Sequence, residues 1–133
     1  KDFGVYGTEF LCSYPLTDRL LLQTNYTYTQ HEEGEGLRIP KHKVNTSFRQ
    51  QLNSNTQLLT SIQFVGDRDD KVGQNLVVLS SYWLLDFRIS HQLSQLGVSM
   101  FGSIENVFDA NYEEVRGYTT RGRNLSVGVS YAF

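Results

Sequence analysis

The 133-residue sequence predicts an all-β fold, an antiparallel meander of about seven strands. Two observations carry that expectation. Apolar residues recur at every second position in seven segments, the period of a strand with one apolar face, and no 3.6-residue helical stripe competes. The connections between the segments alternate between tight turns and long polar loops, as a meander with two unlike rims requires.

Each segment supports the alternation in its own way. Residues 4–14 place Thr8, Phe10, Cys12 and Tyr14 on one face and Glu9 on the other. Residues 20–30 set Leu22, Tyr26 and Tyr28 against Gln23, Asn25 and Thr27. In 43–53, Val44, Thr46, Phe48 and Leu52 oppose Lys43, Asn45, Ser47, Arg49 and Gln51. In 56–66, Leu58, Ile62 and Phe64 oppose Ser61 and Gln63. The clearest case is 81–92, where Trp83, Leu85, Phe87 and Ile89 alternate with Leu84, Asp86, Arg88 and Ser90. The sixth segment, 96–107, adds Glu105 to the polar face. The last, 124–133, alternates strictly: Leu125, Val127, Val129, Tyr131 and Phe133 against Asn124, Ser126, Gly128, Ser130 and Ala132. Ten residues is also the length a tilted strand needs to cross a bilayer, about nine to eleven.

The connections say which environment each face meets. "PLTDR" (15–19), "NSN" (53–55) and "LSQL" (93–96) are tight turns. "HEEGEGLRIPK" (31–41), "GDRDDKVGQNLVVLS" (66–80) and "DANYEEVRGYTTRGR" (109–123) are long and polar. One rim with short turns and one with long loops is the asymmetry of outer-membrane barrels. The polar face carries Glu9, Asp86, Arg88 and Glu105, which suits a hydrated lumen better than a dry sandwich core. On the apolar face, Tyr26, Tyr28, Phe64 and Trp83 fall near the loop rim, and Tyr14, Tyr131 and Phe133 near the turn rim, as two interfacial girdles would. A soluble sandwich remains the competing architecture for the terminal strand taken alone.

The totals exclude other classes. Twelve basic against fourteen acidic residues give a net charge of −2, which offers no basic stripe for nucleic acid. One cysteine, Cys12, forms no internal disulfide and fills the apolar face. No apolar run is long enough for a transmembrane helix. The first residues, "KDFGVYGTEF", already read as strand rather than signal peptide, so the chain is expected to be a fragment.

Two further stretches resemble a known family. "ENVFDANYEEVRGYTTRGRNLSVGVSYAF" resembles the C-terminal signature of TonB-dependent outer-membrane receptors at Asn106, Phe108, Asp109, Tyr112, Gly117, Tyr118, Gly122 and Arg123. "RIPKH" is similar to the Arg-x-Pro-x-His element of the same family at Arg38, Pro40 and His42. The nearest flavour is the cobalamin receptor and related siderophore receptors. Arg121 departs from the pattern, since relatives often carry a small residue or proline there. The final residues resemble the terminal β-signal of bacterial outer-membrane proteins, with Ser126, Gly128, Tyr131 and Phe133 at its marked positions.

The resemblance implies that residues 1–133 are the C-terminal portion of a 22-stranded transmembrane β-barrel, with the plug and earlier strands elsewhere in the protein. It implies active uptake of a metal chelate (siderophore) or cobalamin, powered by the TonB complex through an N-terminal region. It also implies localisation in the bacterial outer membrane, contact with its lipid and lipopolysaccharide, and recognition by the barrel-assembly machinery. A passive porin, or a barrel serving as a phage or colicin dock, is the alternative.

Candidate site residues divide by chemistry. Tyr112, Arg116, Tyr118 and Arg121 put aromatic and guanidinium groups above the lumen, where they suit a ferric siderophore, a corrin's amide fringe or phosphates. Gly117, Gly122 and Arg123 are read as loop-to-strand structure. His31, His42 and His91 lie on a loop, a strand start and an outward face, so they are not expected to converge on a metal. "DRDD" (67–70) offers carboxylates of a Ca²⁺-compatible kind but no full ligand set, and a solvated loop tip is the expectation. "HEEGEG" (31–36) reads as a mobile outer loop. No nucleophile, base and acid group is assembled, so neither catalysis nor a cofactor is expected.

Overall fold

The computed structural model describes residues 4–31 and 36–131. Among them lie nine strands: β1 (Tyr6–Thr17), β2 (Leu20–Gln30), β3 (His42–Asn53), β4 (Thr56–Val65), β5 (Arg68–Val72), β6 (Asn75–Leu79), β7 (Tyr82–Leu93), β8 (Val98–Glu105) and β9 (Asn124–Tyr131). Seven form one antiparallel sheet in the order β1-β2-β3-β4-β7-β8-β9. The meander is therefore as expected. The addition is a separate β5–β6 hairpin within the connection 66–80, which the sequence reading treated as loop.

Register turns the alternation of single strands into rows across the sheet. Phe10, Tyr26, Val44, Phe64 and Trp83 pair in succession, one row crossing five strands near the loop rim. Its Phe64 and Trp83 ring centroids lie 4.6 Å apart, a tilted aromatic pair. Further down the same face, Tyr14, Leu22, Phe48, Thr60, Phe87, Ile104 and Leu125 run across all seven strands. The opposite face carries the polar rows, such as Ser13, Gln23, Ser47, Ser61 and Asp86. Because the side-chain period is two, one residue of slip would exchange these faces wholesale, so the intact rows fix the register.

The sheet has almost no core of its own. Among the described residues, the buried apolar side chains are Val65 and Leu79, both at the loop rim. Along the apolar face Phe10, Trp83 and Val127 stand 59%, 58% and 88% exposed. So large a continuous apolar surface is incompatible with water and appropriate to hydrocarbon. No helix of the described residues is long and apolar enough to cross a membrane.

Two carboxylates of the polar face accept hydrogen bonds from neighbouring amide side chains. Glu9 accepts a hydrogen bond from Asn25 Nδ2, and Glu105 accepts from Asn124 Nδ2. Ser103 and Ser126 share a hydrogen bond of 2.6 Å between neighbouring strands. Phe101, although apolar, lies on this inner face and carries the Arg88 guanidinium 3.7 Å from its ring centroid. That ring also covers Gly128, where a Cβ would collide with Phe101 Cε1. Gly128 is thus needed for packing: a bare backbone lets the aromatic ring lie across β9.

The tight rim is built from local hydrogen bonds. Arg19 N donates to Thr17 Oγ1, and Asn55 N donates to Asn53 Oδ1, each side chain standing in for a backbone acceptor in its turn. The β7–β8 connection is a short 3₁₀ turn, Ser94–Leu96, closed by Gly97 at φ 63°. Left-handed backbone is what glycine supplies at such a stop.

Candidate functional site

At the other rim three connections lock together around Asp70. Its side chain is fully buried. Oδ1 accepts from Arg38 Nε and from Lys71 N, each at 2.9 Å, and Oδ2 accepts from Arg116 N at 2.8 Å. One carboxylate therefore joins the 36–41 segment, the β5–β6 hairpin and the 106–123 connection. The backbone reinforces it: Arg38 N donates to Asp69 O at 2.7 Å, with Arg38 at φ 64°. The Arg116 amide holds the Asp70 carboxyl below its ordinary value, with help from the Lys71 amide and the Arg38 guanidinium, while burial opposes them.

This corrects the reading of "DRDD" as a solvated loop tip. Asp70 and Arg68 are buried, and Asp67 Oδ1 accepts from Ser81 N at 2.6 Å. The physical reason is β5–β6 pairing, which turns every second residue of β5 inward: Arg68 pairs with Leu79 and Asp70 with Val77. Gly73 at φ 63° makes the turn between them.

Arg68 is a second organising residue, and sequence reasoning missed it. Its Nη2 donates to Glu113 O at 2.7 Å and its Nη1 to Gly66 O at 3.3 Å. The guanidinium lies 5.0 Å from the Tyr82 ring centroid, and Tyr82 packs on Tyr112 at 4.2 Å. A cation and two aromatic rings thus stack at the base of the loops, above the polar face.

The 106–123 connection opens with an unusual corner. Asn106 is buried with φ 51°; its amide donates to Asp86 Oδ1, and its side chain both donates to Ala110 O and accepts from Ala110 N. This corner ends β8 at Glu105, two residues before the boundary the alternation suggested. Asp109, also left-handed at φ 53°, accepts from Arg123 N at 2.7 Å and tethers the connection's far end. Gly122 is required beside it, since a Cβ there would lie 2.7 Å from Asp109 Oδ1.

No family model matches the chain. The iron-regulated outer membrane virulence protein of Vibrio cholerae, in two strains, is 27% identical over 140 residues, covering 96% of this chain and 21% of the relative. The ferric enterobactin receptor of Pseudomonas aeruginosa, solved as a mutant, superposes with a TM-score of 0.82 at 20% identity, over 97% of this chain and 22% of that one. The fold is that of a TonB-dependent outer-membrane receptor barrel. A third match, in the solved FpvAI–pyocin S2 complex, has a TM-score of 0.77 at 19% identity, covering 94% of this chain and 18% of that one. The chain spans about a fifth of the length of these relatives and is a segment of the barrel.

Within this barrel segment the residues singled out in the sequence separate. Tyr112 is half-buried against Tyr82, and its carbonyl accepts from Thr120 Oγ1 at 2.7 Å. Arg116 is anchored through its amide, while its guanidinium pairs with Glu113 at 3.0 Å and is half exposed. Tyr118 is 72% exposed on a turn in which Gly117 takes φ 83°, and Arg121 is exposed nearby in sequence. Arg116, Tyr118 and Arg121 therefore present exposed surface, and Tyr112 is half-buried against Tyr82. The three histidines stand apart: His31 Nε2 lies 3.0 Å from Ile39 O, His42 stacks near Tyr26 and Tyr28, and His91 bonds Thr56 Oγ1. Ser126, Gly128 and Tyr131 lie on β9; Phe133, and residues 32–35 of the "HEEGEG" stretch, lie outside the described residues.

Proposed function

We propose that the parent protein is an outer-membrane active-transport receptor for a ferric siderophore, energised by the TonB complex. Residues 1–133 would supply the C-terminal seven strands of a 22-stranded barrel, and the plug and TonB-contacting segment would come from the remainder. The observation that carries this reading is the rim itself: three connections tied by Asp70 and Arg68 stand over a polar inner wall. Ligand capture needs a rigid base with exposed groups above it, and Arg116, Tyr118 and Arg121 are those groups. Iron is preferred over cobalamin because the curated relative is named for iron regulation.

Assembly is the second part of the proposal. Ser126, Gly128, Tyr131 and Phe133 form the signal read by the barrel-assembly machinery, and the apolar rows meet lipid and, at the outer leaflet, lipopolysaccharide. A docking role for a protein toxin is a further reading, favoured by the neighbour solved with pyocin S2.

The test is uptake of radiolabelled ferric siderophore and of labelled cobalamin by cells producing the full-length parent, with TonB present or deleted. Iron accumulation that requires TonB is the expected result. Uptake indifferent to TonB would make the protein a passive porin, and accumulation of cobalamin alone would replace the cargo.

A further inference from the structure

Beneath the locked loops lies a cleft of about 200 Å³, lined among others by Arg38, Lys43, Gln63, Arg68, Tyr82 and Glu114. Three of these side chains are cationic and one is a carboxylate. Arg38 is already paired with Asp70, so among the described residues the cations of the lining without an ion pair are Arg68 and Lys43. Arg68 is 5% exposed, donates to two carbonyls, and has no carboxylate within ion-pair distance among the described residues; its Nε makes no hydrogen bond. A buried guanidinium without a counter-charge is costly, and the field it projects is strong where water is excluded. Lys43 faces inward from β3, in the row of Glu9, Thr27 and Val65, and Tyr82 lies opposite it across β4 with a phenolic hydroxyl. The wall of the cleft thus offers an ammonium and a hydroxyl donor beside a buried positive charge.

The geometry points to an oxyanion subsite in this cleft, taking a carboxylate or an oxyanion of similar size against Lys43 and Tyr82. Glu114 is exposed at its margin and opposes the attraction, so the net charge of the lining with Asp70 counted is one positive. The oxyanion has two possible sources: an acidic group on a transported ligand, or an acidic side chain from the part of the protein that fills the lumen. The inference depends on the inner face lining a lumen and not on iron being the cargo.

Crystals of the full-length parent soaked in graded sodium selenate, with selenium located by anomalous scattering, provide the test. Selenate within hydrogen-bond distance of Lys43 Nζ would identify an open subsite for a ligand's acidic group. An Asp or Glu carboxylate of the same chain seated there would identify an internal dock. For an open subsite, Lys43→Gln should weaken selenate occupancy about tenfold, the size of one charge-assisted hydrogen bond. For an internal dock, the same variant should leave the carboxylate displaced from the cleft. A cleft holding only water or a neutral side chain overturns the inference, as does selenate whose occupancy ignores Lys43→Gln, an adventitious ion only. Iron uptake that fails while selenate binds would refute the proposed cargo and leave the subsite standing.

Discussion

Asn106 gives the sharpest forecast about the loop rim, because its side chain has three separable functions. It accepts from Ala110 N, donates to Ala110 O, and tolerates the left-handed backbone at φ 51°. Asn106→Ala removes both hydrogen bonds and leaves a methyl where the left-handed region disfavours one. Two lost part-buried bonds at about 1 kcal/mol each, and about 1 kcal/mol of backbone cost, sum to about 3 kcal/mol. Asn106→Gly loses the bonds and keeps the backbone free, so about 2 kcal/mol is expected. The corner is local, so the readout is amide hydrogen exchange of the 106–123 connection in the full-length parent, followed by mass spectrometry. Exchange should accelerate about 100-fold in the alanine variant and about 30-fold in the glycine variant. Equal protection in wild type and both variants, or a glycine variant worse than the alanine one, would refute the corner's assigned role.

Three other outcomes follow from the same rim. Asp70 has its folded-state value lowered, so its contribution is present above the unfolded value and lost as pH falls through the folded one; the loops should resist protease at pH 5 and open below an ordinary carboxylate's 3.8. Asp70→Asn, which presents an amide donor to at least one of three donors, should be protease-sensitive at every pH. Replacing Arg116 and Tyr118 together with Ala should weaken siderophore binding by equilibrium titration at unchanged outer-membrane abundance, since the Arg116 tether to Asp70 is through backbone.

Much of this architecture was legible because a strand's period survives any environment that treats its two faces differently. Trp83, Leu85, Phe87 and Ile89 had only to alternate for their row partners to follow, and the register supplied them. The β5–β6 hairpin was hidden for the opposite reason. Arg68 and Asp70 occupy its inward positions, and charge in a sequence reads as exposure. Asp70 is held by Arg38 and the Arg116 amide, 32 and 46 residues away, and Arg68 by the Glu113 carbonyl, 45 away, which no local pattern encodes. The signal available was the apolar run Leu76–Leu79 just after a turn at Gly73 within the supposed loop. The ring that Tyr112 packs against lies on β7, 30 residues earlier, and pairing of that range is invisible in one sequence. Phe101 on the inner face was likewise unreadable until Gly128 was seen beneath it.

The assignment of faces underlies everything else, and an arginine scan of β9 in the full-length parent tests it directly. Folding into phospholipid vesicles would be followed by heat-modifiable gel mobility across a denaturant series. Arg at Leu125, Val127 or Val129 should destabilise the barrel, by about 2–4 kcal/mol near the bilayer midplane, because each points into hydrocarbon. Arg at Asn124 or Ser130 should cost little, and at Ser126 about 1 kcal/mol for the bond to Ser103. A period-two profile with maxima at the odd positions is the predicted result. A flat profile, or maxima at the even positions, would contradict the barrel reading.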